Sequence, residues 1–348
     1  MARTFRIAFI GAGGIALTHI KHLKAVDGVE VVAAADISEK SLNRARDQHS
    51  IPRLYADYRK MLAEEKDLDA VSVCTPNALH AENAIAALEA GRHVLVEKPM
   101  AMNAAECRRM VEAARKADRR LVVGFQYRFD ARSAMLRRQI EAGEFGRILY
   151  VRCQALRRRG IPNWGVFGRK DLQGGGPLID IGVHVLEMAH YMVGSPRPLA
   201  ATGKTWTYIG NRPCDVACNW PNWDYKTYSV EDLAAGLVRL EGGAMLSIEA
   251  SFAAHIEKDV WNVQIMGEKG GAVWEPVQVF RDCGGYMVNQ TPFFTGKVDP
   301  FEAKMRHFVE VCRDGRPCIA TGEHGLMVQQ MIDAIYASSE AGREVPVE

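Results

Sequence analysis

The sequence predicts an α/β protein in which an N-terminal doubly wound parallel sheet is followed by a C-terminal α+β domain with a mostly antiparallel, open sheet. Three observations lead to this prediction. The first third of the chain alternates apolar strand patterns with helical patterns, as parallel sheets do. Later strand patterns follow one another through short glycine turns, as in antiparallel sheets. The 348 residues, of which 48% are hydrophobic, suffice for two cores, and we place the domains at residues 1–126 and 127–348.

In the first domain, short apolar runs mark the strands and longer amphipathic or alanine-rich stretches mark the helices. Ser38 has the side chain of a helix N-cap, and Gly91 ends a later helix. The predicted strands are residues 6–10, 29–35, 70–74, 93–96 and 120–125. The predicted helices are residues 17–24, 38–49, 58–65, 80–90 and 104–117.

In the second domain, strand patterns dominate the middle and helices flank them. Gly143 closes a helix, and Asp299-Pro300 combines an N-cap with a proline at the first helical position. The predicted strands are residues 147–156, 232–240, 244–252 and 260–266. The predicted helices are residues 131–142 and 177–192, one that begins after Asp299, and residues 323–341.

Composition excludes several classes of protein. The 44 Lys and Arg residues nearly balance 42 Asp and Glu residues, so the sequence does not predict nucleic-acid binding. No signal sequence or membrane-spanning run is evident, and we expect a cytoplasmic protein without a membrane partner. The eight cysteines form no C-x-x-C pair, so we expect free thiols and no metal site.

The first functional motif is a glycine-rich turn, G-A-G-G-I-A, that follows the first strand and opens a helix. Gly11 permits the tight turn, and Gly13 lets a pyrophosphate approach the backbone closely. Ala16 allows the helix to lie against the sheet, and the helix N-terminus offers unpaired N–H groups to phosphates. The turn therefore predicts a dinucleotide-binding Rossmann domain.

Asp36, at the end of the second strand, follows this turn at the distance of about twenty residues that is typical of a ribose-binding acid. Its carboxylate would repel a 2′-phosphate, and neither Ile37 nor Ser38 supplies an arginine to reverse this preference. The sequence therefore favours NAD over NADP. In the alternative interpretation, Asp36 caps the next helix.

Lys98 comes directly after a buried strand, at the sheet edge where ligands bind in doubly wound folds. Pro99 restricts it to extended conformations, which aims its side chain. A lysine there can donate to a reacting oxygen, or lose a proton if burial lowers its pKa. The alternative is an ordinary surface lysine.

Asp180 and His184 are four residues apart on a helix that is apolar nearly all round. The carboxylate can orient the imidazole, which suits a general base near neutral pH. The alternative is a solvated surface pair, which the apolar surroundings disfavour. His190 falls on another face, and we interpret it as structural.

Two aromatic stretches could line a sugar pocket, because sugar C–H faces pack on aromatic rings. The loop at residues 157–165 carries Arg158 and Trp164, and residues 214–228 carry Trp220 and Trp223. Packing over the sheet or against another subunit explains either stretch equally well.

Four motifs in this order resemble the glucose–fructose oxidoreductase/inositol dehydrogenase/MocA family over nearly the whole chain. They are the glycine turn, Thr75-Pro76-Asn77 with His80, the triplet Glu97-Lys98-Pro99, and G-G-G-P-L-I-D-I-G-V-H at residues 174–184. The resemblance implies that Lys98, Asp180 and His184 are catalytic, that Glu97 holds the lysine or the local backbone, and that the Lys98–Pro99 bond is cis.

Candidate ligand contacts combine the residue arguments with this resemblance. The candidate cofactor contacts are Gly11, Ala12, Gly13, Gly14, Ile15, Asp36, Thr75, Pro76, Asn77, His80, Glu97 and Lys98. The candidate substrate contacts are Lys98, Tyr127, Arg158, Trp164, Asp180 and His184.

The resemblance implies an NAD-dependent oxidoreductase that moves hydride between nicotinamide and a ring carbinol or ketone of a sugar, a sugar derivative or a cyclitol. One alternative is a glycosidase of the same fold that keeps NAD bound and eliminates a glycosidic bond without net redox change. Another is a non-catalytic dinucleotide-binding regulator, which would not need all three catalytic residues. Relatives pair through the second sheet, so we expect a homodimer or homotetramer that buries apolar side chains of residues 244–248 and 260–265.

Overall fold

The computed structural model describes residues 3–348, and the chain divides into two compact units. The first unit contains the chain up to Phe129 together with Val298–Leu326, and the second contains Asp130–Lys297 with Met327–Glu348. No helix in residues 3–348 is both long enough and apolar enough to cross a membrane.

Helices of both units follow the predicted positions closely. They are α1 (Gly14–Leu23), α2 (Glu39–His49), α3 (Tyr58–Glu64), α4 (His80–Glu89), α5 (Ala104–Ala117), α6 (Ala131–Glu141), α7 (Lys170–Gln173), α8 (Val183–Met192), α9 (Pro300–Arg313) and α10 (Gly322–Ala341). The Ser38 hydroxyl caps α2 and the Asp299 carboxylate caps α9, which confirms both predicted N-caps. The short α7 was not predicted.

The first unit is built on a parallel sheet of six strands in the order β3-β2-β1-β4-β5-β6. Its strands are β1 (Phe5–Ile10), β2 (Val29–Ala35), β3 (Arg53–Tyr55), β4 (Ala70–Val73), β5 (His93–Val96) and β6 (Leu121–Val123). This order confirms the doubly wound prediction. Only β3 was missed among these strands, because three half-buried residues give no periodic pattern.

Helix α9 belongs to the first unit, although the sequence placed it in the second domain. It packs against α1, and its Lys304 reaches buried partners on α1 and at the end of β5. The N-terminal unit is therefore discontinuous in sequence, which linear patterns do not reveal.

The second unit contains a nine-stranded sheet in the order β14-β13-β12-β11-β7-β10-β9-β8-β15. Its strands are β7 (Ile148–Leu156), β8 (Pro198–Trp206), β9 (Leu233–Leu240), β10 (Met245–Ser251), β11 (Val260–Gly267), β12 (Gly270–Val273), β13 (Gln278–Cys283), β14 (Tyr286–Gln290) and β15 (Val345–Pro346). The β7–β10 pair is parallel and the other pairs are antiparallel, so the sheet is mostly antiparallel as predicted. The strands that sequence patterns missed are either short or, like β8, rich in small and polar residues.

The open face of this sheet is more polar than expected. The apolar side chains Leu246 and Ile248 of β10 are fully buried on the opposite, covered face. The open face carries a salt bridge between Arg152 and Glu249, whose charged groups lie 2.9 Å apart. Exposed apolar side chains occur on β11, with Met266 at 47% exposure, and at and beyond the edge hairpin β13–β14, with Met287 at 92% exposure. Leu246 and Ile248, two of the residues on which that expectation rested, therefore lie on the covered face, because side chains alternate between the two faces of a strand.

Candidate active site

The glycine turn between β1 and α1 combines a crowded position with an open one. Gly11 has φ +91°, and a Cβ there would lie 2.6 Å from the carbonyl oxygen of Cys74, so only glycine fits. A Cβ on Gly13 or Gly14 would meet nothing within 4 Å. Open space thus lies against the backbone where α1 begins, as pyrophosphate binding requires.

Asp36 is held in place by two backbone groups at the end of β2. Its carboxylate accepts hydrogen bonds of 2.7 Å from the N–H of Ala12 and of 2.7 Å from the N–H of Ser38. The side chain of Ser38, not that of Asp36, caps α2. The capping alternative for Asp36 is therefore wrong, and its half-exposed carboxylate is fixed beside the glycine turn.

The loops after β4 and β5 are joined by His80. One ring nitrogen lies 2.8 Å from the carbonyl oxygen of Thr75 and the other 2.8 Å from that of Pro99. Burial lowers the pKa of this histidine, although the two carbonyls oppose the effect. His80 therefore has both nitrogens occupied by the backbone, and it shapes the cofactor edge rather than offering a free group to the cofactor.

Lys98 is half-exposed at the carboxyl end of β5, and the Lys98–Pro99 bond is cis as expected. Its backbone N–H donates to Glu97 Oε2 over 3.3 Å. The other oxygen of Glu97 lies 2.8 Å from Lys304 Nζ and 2.9 Å from His19 Nε2. Glu97 thus holds the local backbone, one of the two roles expected for it, and is 6% exposed.

The segment that carries Asp180 and His184 starts as a π turn, Leu178–Gly182, and continues as α8. A regular helix from Pro177 was expected, so this part of the prediction was wrong. Wide π turns are frequent at functional sites, where they re-aim side chains. Asp180 is 9% exposed and His184 is 8% exposed, so the solvated-pair alternative is wrong too.

Glu231 fixes the start of this helical segment. Its carboxylate accepts hydrogen bonds from the N–H groups of Gly176 and Leu178, at 2.9 and 3.1 Å, and from the Tyr336 hydroxyl at 2.8 Å. Burial raises the pKa of Glu231, and these hydrogen bonds oppose the rise. A Cβ on Gly175 would lie 2.1 Å from the Tyr336 oxygen, which explains the glycine run. The carboxylate complements the positive helix end.

Arg157, rather than Arg158, shares the surroundings of Asp180. Burial lowers the pKa of the Arg157 guanidinium, and the carboxylates of Asp180 and Asp259 oppose this effect. The guanidinium lies 5.2 Å from the ring centre of Trp220. Arg158 is exposed, and its guanidinium donates to the carbonyl oxygen of Glu257 at 2.8 Å. The Arg158 guanidinium, which was predicted to contact the substrate, therefore binds a backbone carbonyl group at the surface.

The aromatic cluster joins both stretches that the sequence singled out. The ring centres of Trp164 and Trp220 lie 4.7 Å apart, edge to face, and Trp164 is 50% exposed. On the sheet, the Trp261 ring centre lies 5.9 Å from that of His184. His190 is fully buried, with its Nε2 2.7 Å from the carbonyl oxygen of Pro196, and its role is structural as predicted.

Sequence reasoning missed several polar residues that build these sites. Lys304 lies on the apolar face of a predicted amphipathic helix, and Glu231 lies directly before a predicted strand; a charged residue at either position is a signal of a buried pair. Tyr127, a predicted substrate contact, lies half-buried in a 3-10 turn of the first unit, Gln126–Phe129. The residues missed are His19, Arg157, Trp261, Glu231, Lys304 and Tyr336.

These features define a class of protein: a dinucleotide-dependent oxidoreductase, with a glycine turn, a fixed acid and a lysine along one sheet edge. Space at Gly13 and the fixed carboxylate of Asp36 fit a dinucleotide without a 2′-phosphate. Comparison with known proteins agrees with this class. The model of the Gfo/Idh/MocA oxidoreductase family with an NAD-binding Rossmann fold matches residues 5–125, and the model of its C-terminal α/β domain matches residues 137–348.

The chain belongs to the Gfo/Idh/MocA oxidoreductase family, and its cofactor is NAD. It is 36% identical to D-glucoside 3-dehydrogenase of Escherichia coli, over 98% of this chain and 97% of that protein. It is 28% identical to myo-inositol 2-dehydrogenase of Thermotoga maritima, over 99% and 98% respectively. The solved structure of levoglucosan dehydrogenase in complex with NADH superposes with a TM-score of 0.86 at 26% identity, covering 99% of both chains.

Proposed function

We propose that this protein is an NAD-dependent dehydrogenase that oxidises a ring carbinol of a sugar, a glycoside or a cyclitol, or reduces the corresponding ketone. One observation carries the proposal: Asp180 and His184 are nearly buried, one turn apart on a mostly apolar helical segment, beside a half-buried arginine. Keeping such groups out of water costs free energy, and proton transfer is a reason to retain them.

Each residue has a defined task in this proposal. His184 takes the hydroxyl proton as general base, and Asp180 orients the imidazole. Lys98 donates a hydrogen bond to the same oxygen as its charge develops. Bound NAD would supply the hydride acceptor. Gly13, Gly14 and Asp36 would hold its pyrophosphate and ribose.

A glycoside is the substrate class that we favour. The exposed Trp164 and its neighbour Trp220 offer an aromatic surface that suits the C–H face of a pyranose ring. The relative from Escherichia coli is named for the oxidation of D-glucosides, and the chain aligns with nearly all of it.

A substrate screen tests the proposal. Methyl glucosides, free hexoses, inositols and anhydrosugars are incubated with NAD or NADP, and NADH formation and sugar release are measured in parallel. Net NADH formation, with His184→Ala and Lys98→Ala each slower by about a hundred- to ten-thousand-fold in kcat, supports the dehydrogenase. Sugar release from a glycoside without NADH accumulation would assign a redox-neutral glycosidase instead.

We also propose a cytoplasmic homodimer or homotetramer formed through the second sheet. Support comes from the exposed apolar side chains that extend from β14 into the following segment, including Met287, Phe293 and Phe294. Light scattering at micromolar concentration should show more than one chain per particle, and Met287→Asp with Phe293→Asp should reduce the mass. A monomeric wild-type protein would exclude this assembly.

A further inference from the structure

A buried lysine lies beneath the cofactor edge of the first unit. The Lys304 side chain is 1% exposed, with Nζ 2.8 Å from Glu97 Oε1 and 3.0 Å from His19 Nε2. The ring of Phe301 covers the ammonium group, 4.8 Å from its centre. A buried charge is costly unless it is paired, and an apolar residue would pack here without that cost. The position therefore calls for a reason other than packing.

Glu97 transmits the effect of Lys304 to the backbone of the predicted catalytic lysine. One carboxylate oxygen binds Lys304 and His19, and the other accepts the backbone N–H of Lys98. A Cβ on Gly124 would lie 2.6 Å from Glu97 Oε1, so the carboxylate is also confined from the side of β6. With one oxygen fixed and the carboxylate confined, the second oxygen has a defined direction.

We propose that Lys304 is a positioning residue for Lys98: it keeps Glu97 ionised and immobile, and Glu97 in turn fixes the backbone from which the Lys98 side chain projects. This inference rests on the proposed function, in which Lys98 serves the reacting oxygen. In this inference, a residue of α9 helps to set the geometry of catalysis although it contacts neither the substrate nor the cofactor.

The charges around Glu97 define what removal of Lys304 would do. Burial alone would raise the pKa of Glu97, but the Lys304 ammonium and the hydrogen bond from His19 hold it well below its ordinary value. Burial lowers the pKa of His19 to about 4, so this ring is uncharged at neutral pH, and burial raises the pKa of Cys74 to about 12, so this thiol is also uncharged there. The titratable groups that face Glu97 are those of His19 on α1, Cys74 after β4, His80 on α4, Lys304 on α9 and the adjacent Lys98.

Without Lys304, the pKa of Glu97 should therefore rise. Buried glutamates without a partner titrate as high as about pH 8–9. Once ionised in such a variant, Glu97 would attract the adjacent Lys98 ammonium group and would compete with the substrate for it. The turnover number of the variant should thus fall as the pH rises through the new ionisation, and the wild-type protein should lack this step.

The decisive experiment compares Lys304→Met with Arg306→Met. Arg306 is on the same helix, but its charged group lies 3.2 Å from Glu302 in an exposed pair, so it controls for loss of one cation from α9. We measure kcat and KM against pH with NAD and the best glycoside, the Kd of NAD by calorimetry, and the carboxylate absorption of ¹³C-labelled Glu97 by infrared difference spectroscopy on cofactor-free protein. Glu97→Gln identifies the band.

We expect Lys304→Met to lower kcat by roughly ten- to a hundred-fold, as misplacement of about 1 Å can do, with KM and the Kd of NAD near wild type. Its Glu97 band should titrate in the neutral range, whereas in wild type and Arg306→Met it should stay ionised. The double variant Glu97→Gln/Lys304→Met should lose the extra pH step and recover part of kcat. If Lys304→Met does not fold, Lys304→Gln, which keeps a donor to Glu97, replaces it.

Two results would overturn the inference: a wild-type kcat and pH profile in the Lys304 variant, or a Glu97 carboxylate that stays ionised without Lys304. Failure of the proposed function is recognised separately. In that case Lys98→Met would keep wild-type turnover, while the infrared titration of Glu97 would still report on Lys304.

Discussion

Replacement of His19 by glutamine should make the protein more resistant to mild acid. His19 is fully buried, and burial, followed by the Lys304 ammonium, lowers its pKa from 6.5 to about 4. The unfolded chain therefore binds a proton over a pH range in which the native ring does not. Stability must fall as the pH drops from 6.5 towards 4, because protons then favour unfolding.

The size of the effect follows from the shift. Each unit of pKa difference corresponds to about 1.4 kcal/mol. Relative to neutral pH, His19 should therefore lower the free energy of unfolding of the wild-type protein by about 2 kcal/mol at about pH 5 and by about 3 kcal/mol at about pH 4. Glu97 acts in the same direction at lower pH, since its pKa is depressed in the native state. His19→Gln removes the first contribution, so the pH dependence of its unfolding free energy should be shallower by these amounts.

Urea unfolding between neutral pH and about pH 5 measures this difference, provided that the signal comes from the correct unit. All six tryptophans, from Trp164 to Trp274, belong to the second unit, so tryptophan fluorescence does not report on His19. Far-ultraviolet circular dichroism and hydrogen exchange of β1 and β4 do report on the unit that contains His19. His255→Gln removes an exposed histidine and serves as control. Parallel pH profiles for wild type and His19→Gln would refute the argument from burial.

Three further predictions concern ligand binding and local packing. Asp36→Ala should weaken NAD binding and narrow the gap to NADP in calorimetric titrations; tighter NADP binding by wild type would contradict the role of Asp36. Gly175→Ala should destabilise the second unit by about 1–3 kcal/mol in fluorescence-detected unfolding, because its Cβ has no room beside Tyr336. Arg157→Leu should raise the KM for the glycoside by about tenfold, because the variant would lose one charge-assisted hydrogen bond to the substrate. The KM of Arg158→Leu should stay near that of the wild type. Equal effects would show that the orientation of the two arginines does not matter.

The sequence predicted what depends on local pattern. Buried strands of the first sheet, the glycine turn and the N-caps Ser38 and Asp299 follow from side chains within a few residues of each other. Asp36 was assigned from its distance beyond the turn, and the structure places it beside the turn because β1 and β2 are paired in parallel with Ile10 opposite Ala35.

What the sequence could not supply were partnerships between distant segments. Nothing near Glu97 indicates that a lysine about two hundred residues later neutralises it, since only tertiary packing joins α9 to β5. The different surroundings of Arg157 and Arg158 depend on distant partners, since the backbone N–H of Arg157 donates to Ser251 and that of Arg158 donates to Asp259. The π turn before α8 likewise depends on Glu231, which is far from it in sequence.

The discontinuity of the first unit has a consequence for how a ribosome builds it. When residues up to Phe129 have emerged, all six strands of its sheet exist, but Val298–Leu326 do not. Glu97 and His19 must wait for their cation until Lys304 has been made, which at about 5–20 residues per second takes roughly ten seconds or more. During that interval the nascent N-terminal unit lacks α9 and exposes the apolar surface of α1 that α9 covers. The NAD-binding unit, although it begins the chain, is thus not complete until Leu326 has been made, and a fragment ending at Phe129 would carry the glycine turn without the helix that closes its core.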